Sequence, residues 1–348
     1  VAIGTSAGKT NQGPSAVAIG NQAGETEQED GAVAVGVQAG ESSQDVNATA
    51  LGRQAGFNQQ GNASVAIGYL AGCGDQGTKA VAVGTAAGQT AQGTNTVAVG
   101  NSAGETGQNN FSVAIGTNAG CRAQDGAVAV GSSAGRDGQG DDAIAIGPSA
   151  GHTSQGVSSI AIGHDAGSAG QNTFSVAIGI NTALNAQGTN AVAIGRGAGQ
   201  NVQGNQAVAM GYHAGLNAQG NNSTAVGRDA GCVSQGENTT TVGYRAGQTS
   251  QGAQAVAVGY AAGRVSQGDY AIAMGYIAGS ASQGAEAVAI GHAAGRNAQG
   301  EYCTAVGFNA GSADQGASGI AIGSNAGEDS QGNYATAVGQ AAGYNAQG

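Results

Sequence analysis

Chemistry requires a few reactive residue types brought close together, and this chain is poor in most of them. Its four histidines, His152, His164, His213 and His292, fall at three different places in the chain's internal repeat and make no ligand set. The four cysteines, Cys73, Cys121, Cys232 and Cys303, are far apart and show no C-x-x-C spacing. They define neither a zinc site nor a disulfide framework, and they leave the redox compartment undetermined. No nucleophile, histidine and carboxylate group together, and the glycines form no phosphate loop because none opens a helix. The calcium-binding nonapeptide pattern G-G-x-G-x-D is missing as well. The sequence therefore points away from an enzyme, and implies no cofactor and no metal.

Two sets of residues recur instead. Glutamine stands at one fixed place in every copy of the repeat, among others as Gln12, Gln60, Gln124, Gln187, Gln251, Gln315 and Gln347. A catalyst is not needed 22 times over. Stacked amides bonding from coil to coil enforce register, so the expectation is a structural glutamine ladder. The second set is a surface stripe in consecutive copies: Tyr212, Arg228, Tyr244, Tyr260, Tyr276, His292 and Phe308, with Arg245 beside it. Tyr270, Tyr302 and Tyr334 recur on alternate copies. Aromatic rings give contact area at little entropic cost, which suits recognition of a glycan or a host surface protein. The alternative is a self-stacked ladder that stiffens the chain or fills a seam between chains. On the recognition reading, changing Tyr244, Tyr260 and Tyr276 to serine weakens adhesion without unfolding the protein.

The elements that position these residues follow from periodicity. A V-A-I-G element ends at Gly4 and recurs to Gly339, giving 22 copies with twenty intervals of 16 residues and one of 15. The consensus is A-V-A-I-G-x-x-A-G-x-x-x-Q-G-x-x, and the short interval is expected to lack one turn residue between Gln124 and Ala127. Alternation in Val65-Ala66-Ile67-Gly68 is the two-residue period of a strand. The branched residues are expected to form the buried face. The opposite strip of Ala66, Gly68 and their equivalents is then apolar, flat and free to contact another chain, unless it packs against the far side of its own coil. Alanine holds its centre in 21 copies, Thr241 being the exception. Ala7-Gly8 and its equivalents mark one corner, broken only by Thr182-Ala183, and the Gln-Gly pair marks a second.

Sixteen residues with two corners make one coil of an all-β parallel β-solenoid (a β-roll) of 22 coils, one of them 15 residues long. At about 4.8 Å per coil the chain is about 105 Å long. Residues 1–348 read as one continuous repeat domain, and the lack of an atypical first or last copy suggests a segment of a longer chain or a subunit that stacks end to end. Composition agrees: 68 glycines, no tryptophan and 4 phenylalanines leave too few large side chains for a thick core. Two prolines and no three-residue glycine period exclude collagen. A net charge of −11 disfavours nucleic acid and anionic membranes. No apolar run reaches the ~18 residues of a membrane-spanning helix, so no membrane insertion is expected.

Ser64-Val65-Ala66-Ile67-Gly68, Ser112-Val113-Ala114-Ile115-Gly116 and Ser175-Val176-Ala177-Ile178-Gly179 resemble the head repeats of YadA-like trimeric autotransporter adhesins. That family's motif is close to N-S-V-A-I-G-x-x-S, and phage and viral fibre proteins carry similar repeats. The resemblance implies a trimer of parallel β-rolls on a cell or virion surface. This chain differs in its 16-residue period, where the family's is typically 14, and in alanine replacing the serine after the glycine. The leading expectation is a non-enzymatic extracellular fibre or adhesin shaft that associates with itself. A self-assembling end-to-end filament subunit is the alternative. An ice-binding solenoid is third, since outward Thr-x-Thr rows are missing.

Overall fold

The computed structural model describes residues 1–123 and 125–345. They form two compact units, Val1–Phe174 and Ser175–Gly348. Within each, the chain winds as a parallel β-solenoid, making about 21 turns in all, ~16 residues apart and without helices among the described residues.

Each coil has two short strand segments. In the coil of Gly68 these are Val65–Ile67 and Gly74–Gln76. The first segments pair in register with the next coil, as in Val65↔Val81, Ala66↔Ala82 and Ile67↔Val83. The second pair through their first and third residues, as in Gly74↔Thr90 and Gln76↔Gln92. The middle residue of that segment, Asp75, is left-handed at φ 49°, as are Leu70 and Lys79 at the two turns.

The strand glycine is required on two counts. Gly68 has φ +129°, and a β-carbon on it would lie 2.5 Å from the Gly84 carbonyl oxygen of the next coil. Corner Gly72 has φ +51°, and its β-carbon would fall 2.8 Å from the Gln76 amide. Ala183 is the variant that does without, holding φ 46° as alanine while Thr182 Oγ1 donates to the Gly195 carbonyl at 2.5 Å.

The interior overturns one expectation. Ala66, Ala71, Gln76 and Ala80 are buried, whereas Val65 is half-buried and Ile67 is 36% exposed. The branched face thus points outward and the alanine strip lines the coil, in both units. The cause is width. Two segments that close within sixteen residues leave room for methyl groups and one flat amide, not for facing Val and Ile. Outside, β-branched side chains still favour the extended backbone and stack on their equivalents in neighbouring coils. The alanine strip is accordingly not a surface for another chain. Where alanine gives way to Thr241, the buried hydroxyl donates to the Thr224 carbonyl at 3.0 Å and accepts from Gln235 Nε2 at 3.2 Å.

The short repeat is a second correction. First segments keep register across it, with Val113↔Val128 and Ala114↔Ala129. In the second row, however, Ala123 pairs with Gln139. Ala123 therefore occupies the glutamine's place, and the missing residue falls before it, not between Gln124 and Ala127. Gln124 and Gln347 lie outside the described residues.

Candidate functional site

Inside each coil the glutamine acts as a cross-brace. Gln60 Nε2 donates to the Thr49 carbonyl at 2.8 Å, joining the second segment to the first. Gln187 donates to the carbonyls of Val176 (2.8 Å) and Ala191 (3.3 Å), and Gln315 to those of Thr304 (3.2 Å) and Gly319 (3.0 Å). Amide-to-amide bonds between coils add to this in runs. One run passes from Gln12 through Gln28 and Gln44 to Gln60 at 3.0–3.1 Å, and another from Gln299 through Gln315 to Gln331. Gln251 donates to Gln267 at 3.0 Å. Gln139, which follows Ala123 in the row, keeps both intracoil bonds, donating to the carbonyls of Val128 (2.8 Å) and Ala143 (2.9 Å). The intracoil brace could be foreseen only by knowing that the coil is one amide wide.

The surface stripe forms a stack in the second unit. Tyr244, Tyr260, Tyr276, His292 and Phe308 follow one another with ring centroids 4.9–5.0 Å apart and interplanar angles of 15–23°. This is the coil spacing itself. Arg228 lies between Tyr212 and Tyr244, its guanidinium 5.6 and 5.8 Å from the two centroids. Arg196, which the sequence reading missed, covers Tyr212 from the preceding coil at 5.9 Å. It directly follows strand glycine Gly195, so the repeat register alone would have found it. The ring faces are turned to one another and the edges to solvent. Tyr270, Tyr302 and Tyr334 are exposed and left-handed, with no ring contact joining them among the described residues.

Beside the stack, Asp229 is faced by two arginines and a histidine. Arg228 Nε lies 3.5 Å away, Arg245 Nε 3.8 Å, and His213 Nδ1 3.7 Å. His213 also stacks on Tyr212 at 3.8 Å. These partners compensate a buried carboxylate. The four cysteines are unpaired thiols, and burial raises the pKa of each, which keeps them protonated and unreactive. Among the described residues no three His, Cys, Asp or Glu side chains could hold a metal ion. Among the described residues no helix is long and apolar enough to cross a membrane.

The remaining extended feature is the outward Val/Ile face. Exposed along it are Leu51, Ile67, Ile115 and Ile146 in the first unit, and Met210, Val242, Met274 and Ile290 in the second. A search of curated proteins finds no match to the chain. Residues 173–198 and 203–230 match the YadA head domain repeat, in two copies. In repeat and in solenoid fold the chain is thus similar to the heads of YadA-like adhesins.

Proposed function

We propose that this chain is a structural segment of a surface-exposed fibre or adhesin shaft, and that it associates with copies of itself through the outward Val/Ile face. That face is the observation carrying the reading. At the strand spacing, eleven coils of two branched columns give a strip of about 500 Å² in each unit. A monomer's largest apolar patch is about 300–600 Å², and a stable interface takes about 800 Å² from each partner. Each unit's strip alone supplies more than half of that. The similarity to YadA heads implies three copies. The ring stack serves this role from outside as an axial brace, since its faces already have partners. A glycan or host protein binding the shaft would meet ring edges.

Light scattering across a concentration series tests the reading. The expected result is a fixed mass three times the 32.9 kDa of one chain. Ile290→Lys combined with Met274→Lys places charges on the face and should reduce the mass to a monomer with an unchanged circular dichroism spectrum. A native chain that stays monomeric at all concentrations overturns the proposal. A mass that climbs without limit replaces the closed trimer with a filament.

A further inference from the structure

The second unit holds a groove that neither the repeat nor the stack explains. It lies between the corner residues Ala261 and Ile277 and the start of the second segment, has a volume of about 220 Å³, and is flanked by Arg264 and Arg296 with Ser280 and Asn297. No carboxylate lines it. The chain has only ten basic residues against 21 acidic ones, and most of the ten have partners. Lys9, Arg136, Arg228 and Arg245 are in ion pairs, while Arg53 and Arg196 lie over tyrosine rings. Arg264 and Arg296 have no ion-pair or ring partner among the described residues, and both border this one groove.

The geometry suits an anion. The two arginines occupy equivalent places two coils apart, with Ser280 at that place in the coil between. The separation is about 10 Å along the stack, so two guanidinium groups can close on one oxyanion seated over the middle coil. Backbone placement is firm on one side: the Arg296 carbonyl accepts from Ser280 Oγ at 3.3 Å and from the Ala281 amide at 3.0 Å. Planar guanidinium forks match carboxylate, sulfate or phosphate in bidentate fashion, and they desolvate more readily than an ammonium. The floor of Ala261 and Ile277 is apolar, which fits the C–H face of a sugar ring. Drug-sized ligands need about 300–1,000 Å³, so this smaller groove takes one ring and its charged group.

We propose that this groove binds the anionic residue of an acidic saccharide, with Arg264 and Arg296 clasping its carboxylate or sulfate. The site is independent of the self-association face. Titration of the full chain by NMR or calorimetry with N-acetylneuraminic acid, glucose 6-sulfate, glucose and inorganic sulfate tests it. The expected result is saturable binding of an acidic sugar in the millimolar range or tighter, with glucose silent. Arg264→Ala with Arg296→Ala should weaken it at least tenfold. Arg264→Lys with Arg296→Lys should lose most of it although charge is kept, and Lys79→Ala should leave it unchanged. The two acidic sugars separate a carboxylate from a sulfate preference. Absence of saturable binding overturns the proposal, as does binding that the arginine variants leave intact. Inorganic sulfate binding as tightly as the sugars overturns the saccharide assignment. Solution mass is measured on the same samples, so lost binding at unchanged mass bears on this groove alone.

Discussion

The two units share an interior and differ on the outside. Both line their coils with alanine and the bracing glutamine, and both turn Val and Ile outward. Directly after the strand glycine, however, the first unit carries a mixed column including Val37, Arg53, Tyr69, Thr85, Asn101 and Thr117, in which only Arg53 and Tyr69 interact across coils as cation and ring. The second unit fills the same column from Arg196 to Phe308 with stacked rings and guanidinium groups. Charge differs too: the first unit has thirteen acidic and five basic residues, the second eight and five. The coil's narrow bore fixes what lies within, and an outward column is free to diverge because its side chains meet only their own equivalents.

If the interior is truly common, breaking it should cost the same in either unit. Gln44→Ala and Gln203→Ala each remove a buried amide that braces a strand carbonyl (Val33 at 2.8 Å, Val192 at 2.9 Å) and accepts from the preceding glutamine. Each change leaves unpaired groups at about 1–3 kcal/mol apiece, and a cavity besides. The expected local loss is about 3–4 kcal/mol in both units, read from hydrogen exchange in the flanking coils. Costs differing by more than about 1.5 kcal/mol would show that the two interiors are not equivalent.

The first unit already contains a natural version of that experiment. Ala123 stands in the glutamine row and carries no side-chain amide to brace the coil. Amides around Ala119–Ala123 should therefore exchange faster than their counterparts at Ala134–Gln139, by about 1–3 kcal/mol of opening free energy. Equal protection would mean that backbone pairing alone holds the coil.

On the surface the comparison should reverse. Tyr260 stacks on two rings at 5.0 Å, and the equivalent Thr85 on none. Such ring pairs contribute about 0.5–1.5 kcal/mol each. Tyr260→Ala is expected to destabilise its coil by about 1–3 kcal/mol, while Thr85→Ala stays within about 0.5 kcal/mol. A Tyr260 effect as small as that of Thr85 would reduce the stack to a by-product of repetition.

The solenoid was legible because sixteen-residue spacing, strand alternation and corner glycines all agree. The facing of the strand was not. Burying Val65 and Ile67 is the ordinary inference from alternation, and only the width of the closed coil reverses it. The short repeat misled for a related reason. Matching Gln124 to the other glutamines follows letter identity, whereas pairing follows the first segments, and these carry Ala123 into the glutamine row. Left-handed Leu70, Asp75 and Lys79 have no sequence signal, since the closure of the coil imposes that conformation on whatever residue stands there. The ring stack could be read from register alone, because side chains at equivalent places must lie one coil apart. The Arg264–Arg296 groove could not, since it depends on which neighbours leave space.

The smallest contrast concerns acids. In the first unit Glu41 follows Glu25 one coil on, and its carboxyl is held above the ordinary range, chiefly by burial and further by the charge of Glu25. Its Oε2 has no hydrogen-bond partner. Glu25 is shifted the other way, first by its hydrogen bond from Lys9. The folded chain thus holds the Glu41 proton more tightly than the unfolded chain does. Its contribution to stability is fully present below the unfolded pKa and is lost as pH rises through the folded one. Glu41→Gln removes that loss. At pH 7 the variant should be more stable than the parent by less than about 1 kcal/mol, and the gain should vanish as pH falls below the ordinary glutamate value of 4.5. In the second unit the neighbouring acid is absent: Ser280 and Arg296 occupy equivalent positions, so Ser280→Gln should show no such pH-linked gain. Melting curves of both variants from pH 3 to pH 8 check the pair. A Glu41→Gln gain that persists undiminished at pH 3 would trace the effect to packing and not to charge.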